Sequence, residues 1–415
     1  MPSAFTRYQK FVIAVLAFLQ FTIILDFMVI SPLGALLLQK LHITTRQFGL
    51  VVSVYAFSAG ASGLLAAGFA DKFDRKKLLV LFYAGFLLGT LLCGLADSYA
   101  FLLGARIVTG LFAGVVGSTI MAIIADLFSF EVRGRVMGTI QTAFGAAQVM
   151  GLPLGLFLSD RWGWHASFMM ILVAGAPAGL LIAARLHPIA EHLLVPSTRH
   201  PLQHVAATVS QGRYLRTFLA TTMLTTGGFM LMPFGSTFMV NNLGIPYGML
   251  KWVYMSAGVV TVIAGPLLGK LADTIGKYKL FVLGTIAGAL IVAVYCNLGR
   301  TPLATVLVIN AALFVPITSR MISAQALISA VPDMQDRGAF MSVNAAVQQF
   351  SGGLASSLAG LIVAQQADGR LLRYDVLGYV VVSAMFLTIA LMYPIHLAVM
   401  RKAAAAARRT AAAAE

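Results

Sequence analysis

The chain has 415 residues, of which 59% are hydrophobic and only 10% charged, with a net charge of +15 and a mean hydropathy of +0.89. A soluble domain is about a quarter charged, so this composition excludes a disordered chain, a secreted disulfide scaffold and a conventional soluble enzyme. The two cysteines, Cys93 and Cys296, sit inside apolar runs and form no C-x-x-C or zinc-type spacing. The first apolar run is too long for a signal-peptide core and reads as a retained span.

Apolar runs long enough to cross a bilayer (about 20 residues) recur along the chain. They fall at 11–38, 47–69, 77–96, 100–128, 136–158, 166–185, 215–239, 247–271, 279–298, 302–330, 339–364 and 376–398. They are continuous rather than alternating, which predicts helices and not barrel strands. The expected fold is an all-α polytopic membrane protein with 12 transmembrane helices in two six-helix halves. Its expected parts are a first half at 1–186, a linker at 187–213, a second half at 214–400 and a tail at 401–415. The linker carries His187, His192, His200 and His204 with three prolines, matches no metal-ligand motif and reads as solvated. The tail is Ala/Arg-rich, expected as a surface or frayed helix.

Placing both termini on one side puts 20 basic residues there against 7 on the other, with Arg106 and Arg320 inside spans. By the positive-inside rule that side is the cytoplasm. The charge therefore sets topology and does not point to nucleic acid.

The two halves resemble each other. Residues 67–77 read AGFADKFDRKK and residues 268–279 read LGKLADTIGKYK, which aligns Asp71 with Asp273 at an offset of 202. The pairs Arg133-Gly134 and Arg337-Gly338 give 204. Repeats of like orientation imply halves related by an axis along the membrane normal. The first loop resembles the G-x-L-A-D-R-x-G-R-K signature of the major facilitator superfamily. Asp71, Arg75 and Lys76 match, Lys72 replaces arginine, and Ala67 and Asp74 replace the two glycines. Arg106 with Gly110 and Gly114, and the degraded Gly151-Leu-Pro153-Leu-Gly155 stretch, resemble further family features, the latter associated with antiporters. The resemblance implies the major facilitator fold, a monomer and kinship with proton-coupled drug and sugar exporters.

Of 14 acidic residues only Asp26 lies near the middle of a span. An intramembrane carboxylate is costly unless paired or hydrated and suits a proton carrier; a permanent ion pair with Arg106 is the alternative. Arg106 acts as a fixed positive charge. Arg320, whose repeat equivalent is Val116, is a candidate to hold an anionic substrate group, to reach Asp26 or to snorkel to the cytoplasmic boundary. Gln141 and Gln148 in span five, and Asn344 and Gln348 in span eleven, stand at helical spacing and either line a cavity or join helices. Tyr55 and Phe229 are candidate apolar substrate contacts.

The resemblance further implies a latch between the halves. In it Asp71 caps span eleven, Arg75 pairs with Asp126, and Asp273 is the second-half counterpart of Asp71. No metal site, nucleotide loop, cofactor motif or nucleophile–base set is legible. The expected activity is secondary transport, with protons as coupling ion and a small amphipathic molecule exported; no enzymatic activity is expected. Alternatives are an organic anion, sugar derivative or lipid held by Arg320, and, in a different class, a channel or non-transporting receptor. A channel would be expected to show charge rings or a filter motif.

Overall fold

In the computed structural model residues 5–190, 193, 211–332 and 337–412 are described. The linker histidines His192, His200 and His204 lie outside them. The first half contains α1 (Arg7–Val29), α2 (Gly34–Lys40), α3 (Thr45–Phe69), α4 (Arg75–Gly94), α5 (Tyr99–Leu127), α6 (Phe130–Ala146), α7 (Leu152–Trp162) and α8 (His165–Arg185). The second contains α9 (Gly212–Leu231), α10 (Gly235–Asn241), α11 (Leu250–Ile275), α12 (Lys277–Cys296), α13 (Leu303–Ala330), α14 (Arg337–Ile362) and α15 (Tyr374–Ala412). A two-residue antiparallel pair, β1 (Ala364–Gln365) with β2 (Leu371–Leu372), joins α14 to α15.

Among the described residues, eleven helical stretches are long and apolar enough to cross a membrane. The remaining crossing is α14, whose 26 residues have the length but carry Ser, Asn, Gln and Gly where the others carry Leu and Ile. The expected first span of 11–38 is two helices. Pro32 lacks an N–H, and the chain turns at Ser31, whose carbonyl accepts from Gly34 N, before α2 begins. The Ala/Arg-rich tail is likewise no separate helix: α15 continues without a break to Ala412.

Helix starts follow capping chemistry. Thr6 with Gln9, and Thr44 with Gln47, form reciprocal capping boxes at α1 and α3, and Ser98 caps α5. The repeat reappears in the helix limits. The 20-residue α4 and α12 start 202 positions apart, at 75 and 277, and α5 and α13 start 204 apart, at 99 and 303.

The apolar core locates the contact between halves. At the end remote from the termini, one cluster runs through both, from Leu33, Leu37, Phe48 and Phe168 to Phe234, Phe238, Leu250 and Leu377. At the terminal end the halves keep separate cores. One contains Leu16, Tyr83, Ile123 and Val136, the other Tyr214, Phe281, Ile328 and Phe340. The seam is clearest between the antiparallel α3 and α14. Thr45 Oγ1 donates to Val363 O (2.7 Å), Gly49 lies against Ser356 and Gly360, and Ser357 Oγ donates to Ser53 Oγ (2.8 Å). Further along, the Phe57 ring packs on Gly353, and Gly60 meets Gln349. Nearer the termini Leu65 and Met341 are exposed. The bundle is zipped shut from the remote end to about its middle.

Candidate functional site

The first half buries an ion pair toward its remote end. Arg106 Nη1 donates to Asp26 Oδ1 at 2.6 Å and to the Asp26 carbonyl at 3.3 Å, and both side chains are 0% exposed. Thr90 Oγ1 lies 3.0 Å from Asp26 Oδ2 and 3.0 Å from Phe86 O, so one hydroxyl proton serves carboxylate and helix backbone. The guanidinium carbon stands 4.3 Å from the Tyr55 ring centroid, a cation over an aromatic face. Four helices, α1, α3, α4 and α5, thus converge on one carboxylate.

The sequence explains the convergence. Arg106, Gly110 and Gly114 stand four apart on one face of α5. A Cβ at Gly110 would overlap Ser58 Oγ, and one at Gly114 would overlap the Ala59 carbonyl. Only glycine lets α5 approach α3 closely enough for Arg106 to lie on Tyr55. On the other side, a Cβ at Gly89 would sit 2.8 Å from Thr109 backbone atoms, so α4 is drawn in as well.

The site is polar but incompletely bonded. Arg106 Nε and Nη2 and the Tyr55 hydroxyl are buried without hydrogen-bond partners. Buried polar groups are rarely left so, and these atoms can exchange partners when the pair opens. From Tyr55 an aromatic path leads toward the second half: Phe27 is 5.4 Å from Tyr55 and 5.6 Å from Phe229. Phe229 itself packs on Gly352 of α14. Tyr55 therefore lies under the arginine, and Phe229 stands at the half boundary.

The amides separate. Gln148 lies in a π-turn, Ala147–Gly151, inserted between α6 and α7, and its Oε1 is buried without a partner. Such turns widen a helix by one residue and recur at functional sites. This one sits at the seam, where Gly258 of α11 leaves just enough room for the Gln148 backbone. Gln141, one turn before the end of α6, is exposed. Asn344 accepts from Thr221 Oγ1 at 2.7 Å, joining α9 to α14, and Gln348 is half-buried.

Arg320 does not reach Asp26, which is taken by Arg106. Its Nε donates to Thr285 Oγ1 at 3.1 Å, and its guanidinium carbon is 5.8 Å from the Phe281 ring, both on α12. The repeat equivalent of Arg106 is Asn310, which donates to Val253 O at 3.2 Å and fastens α13 to α11. The second half thus has a neutral amide where the first has the charged pair.

At the terminal end Arg75 Nε donates to Asp126 Oδ2 at 3.0 Å, and its Nη1 donates to Ala70 O at 2.8 Å. Arg133 Nε donates to Phe128 O at 2.9 Å, at the carbonyl end of α5. Asp74, which replaces the signature glycine, caps α4: its Oδ1 accepts from Lys76 N (2.7 Å) and Lys77 N (3.2 Å). Its φ of −56° needs no glycine, whereas the matching Gly276 has φ +96° and does. Asp273 is exposed. The side chains of Asp71 and Arg337 lie outside the described residues.

Spacing alone left Thr90, Phe27 and Asn310 unrecognised. Thr90 is a lone hydroxyl in an apolar run, and Asn310 is recoverable only by adding the repeat offset to Arg106.

The family model of the Major Facilitator Superfamily matches residues 16–214 and 217–414. The "Uncharacterized MFS-type transporter YceJ" of Bacillus subtilis (strain 168) is 26% identical over 266 residues, 64% of this chain and 67% of that protein. The "Uncharacterized MFS-type transporter YtbD" of the same organism is 25% identical over 245 residues, 57% of this chain and 59% of that protein. The chain thus spans roughly three-fifths to two-thirds of these relatives. Among solved structures, a bacterial homolog of the human lysosomal transporter Spinster, inward-facing and unoccupied, superposes with a TM-score of 0.69. Its identity is 15%, with 95% of this chain and 97% of that chain covered. The nucleoside transporter NupG, as a point mutant, gives 0.72 at 15% identity, covering 93% and 99%. With the family model spanning nearly the whole of two pseudo-repeated helical halves, the chain belongs to the Major Facilitator Superfamily of membrane transporters.

Proposed function

We propose that the chain is a proton-coupled exporter of small amphipathic molecules that works by alternating access. The observation that carries this reading is the Asp26–Arg106 pair: a carboxylate 0% exposed, in the last turn of α1 and not at mid-span as expected, held by one guanidinium nitrogen and one hydroxyl. A carboxylate in a bilayer interior is expensive unless paired, so loss of the arginine contact favours taking up a proton. A movement within the first half that draws α5 away from α1, coupled to the rocking of the two halves, would supply that event. Arg106 retains its own charge throughout.

Export is supported by the Gly/Pro stretch of span five, here built around the π-turn and Pro153. Gln148, Asn344, Gln348 and Phe229 are proposed to face the transported molecule as the seam opens, with Gln141 nearer the terminal mouth. Arg75 and Asp126, with Asp71 and Asp273, form the proposed latch at the terminal end. The excess of basic residues supports a cytoplasmic location for that end and both termini, in a bacterial inner membrane. The unit is proposed to be a monomer whose two halves, 1–186 and 214–400, flank the linker.

The test is proton-gradient-driven uptake of a fluorescent lipophilic cation into inverted vesicles, comparing the native chain with Asp26→Asn at equal inserted amounts. Uptake by the native chain and its loss in the variant is the expected result. Gradient-driven uptake that survives in Asp26→Asn removes Asp26 as carrier.

A further inference from the structure

The second half contains a buried cation that pairs with no acidic side chain among the described residues. Arg320 is 6% exposed, ten residues before the end of α13. Its Nε is used by Thr285 Oγ1, while Nη2 is fully covered and has no partner. One helical turn away Ser323 is 0% exposed, and its Oγ also has no partner. Thr285 spends its own proton on the Phe281 carbonyl at 2.7 Å, so it only accepts from the arginine. What remains unspent at this spot is therefore donors: guanidinium N–H groups and a serine hydroxyl.

Among the described residues no acidic side chain pairs with them. Of the second half's acidic residues that are described, Asp273 stands near the end of α11, Asp368 between β1 and β2, and Asp375 at the start of α15. Asp26 is held by Arg106 and Thr90. The Phe281 ring at 5.8 Å stands at the outer limit of a cation–π contact. One neutral hydrogen bond and a distant ring do not replace the hydration a guanidinium loses on burial.

We propose that Arg320 and Ser323 form a binding site for a single carboxylate group. A planar guanidinium presents two parallel N–H donors that match the two oxygens of a carboxylate, and the serine hydroxyl adds a third donor at the side. Burial on α12 restricts the occupant to one small anionic head. The site deepens the transport reading by letting a carried amphipath bear a carboxylate beside a cationic group, and it rests on that reading only for what binding is used for.

The experiment is equilibrium binding to the full chain purified in detergent free of phospholipid, read by calorimetry and thermal unfolding. The probes are sodium acetate and sodium benzoate, acetamide and benzamide as neutral isosteres, and chloride at matched ionic strength. The expected result is saturable binding of at least one carboxylate with a raised Tm, no effect of the amides, and chloride at least about tenfold weaker. Arg320→Gln should abolish carboxylate binding, and Ser323→Ala should weaken it about tenfold. Should Arg320→Gln fail to fold, Ser323→Ala and the probe series carry the test. Carboxylate binding unchanged in the variants, chloride binding as tight as carboxylate, or no anion binding at all each overturns the proposal. No proton gradient enters this assay. Asp26→Asn is expected to retain carboxylate binding while losing gradient-driven uptake, so failure of either reading is seen separately.

Discussion

At the scale of single residues, a buried ion pair is a poor source of stability but costly to break. Desolvation offsets most of its attraction, while removing one partner strands the other charge at a cost of about 3–5 kcal/mol. Arg106→Leu should therefore lower stability in detergent by roughly that amount, and adding Asp26→Leu should recover much of it; thermal unfolding of the three proteins measures both steps. Recovery no better than additive would mean that the pair is not the unit that matters. The sequence singled out Asp26 and Arg106 because charged residues inside apolar runs stand out without any geometry. It did not reveal Thr90 or Phe27, because a threonine or phenylalanine in a span looks the same whether it touches lipid or a carboxylate. Tyr55 shows the limit from the other side: composition offers it as an apolar contact, and only the fold lays it under Arg106.

At the scale of elements, glycine and capping residues decide where helices stop and how closely they pack. Gly110→Ala puts a methyl group into the α3–α5 contact, where overpacking typically costs about 1–3 kcal/mol, and it should also lift Arg106 off Tyr55. Reduced thermal stability together with impaired gradient-driven uptake is the expected pair of readouts. Asp74 gives a gentler test. Its cap on α4 predicts that Asp74→Ala costs about 1 kcal/mol and Asp74→Gly only a few tenths, measurable as a small against a negligible shift in unfolding. The twelve crossings were legible because apolar length is a strong signal. Two boundaries were not: the break at Ser31-Pro32 and the unbroken run of α15 into its Ala-rich end. A proline-containing turn shorter than a charged loop does not interrupt hydropathy, and alanine continues a helix wherever no cap stops it.

At the scale of the whole molecule, two halves share one core at the remote end and keep separate cores at the terminal end. The Ser53–Ser357 contact crosses that boundary at 2.8 Å. A Ser53→Cys/Ser357→Cys pair is expected to form a disulfide on mild oxidation, to stop transport, and to release it on reduction; Cys93 and Cys296 are buried and should not interfere. Cross-linking without loss of transport would show that this seam need not open. At the other end, Arg75→Ala should shift the balance between the two faces, seen as altered accessibility of cysteines placed along α14, and leave the order of preferred substrates unchanged. An altered substrate order would instead put Arg75 at the binding site. The repeat explains why this level was largely readable: two landmark offsets, 202 and 204, return as helix starts, so the second half follows the first by addition. The interface itself was not readable, since its small residues carry no charge and no period of their own.

That neutrality has an electrical consequence. The hydrogen bonds joining Thr45 to Val363, Ser53 to Ser357, Ser31 to Ser236 and Ser159 to Tyr247 link hydroxyls and carbonyls. Parting them moves no net charge through the membrane field, which acts at about 2.3 kcal/mol per elementary charge per 100 mV. Parting these four bonds is thus electrically silent in itself, and charge is carried at this seam by Lys251, whose Nζ lies 5.1 Å from the Phe157 ring of the other half.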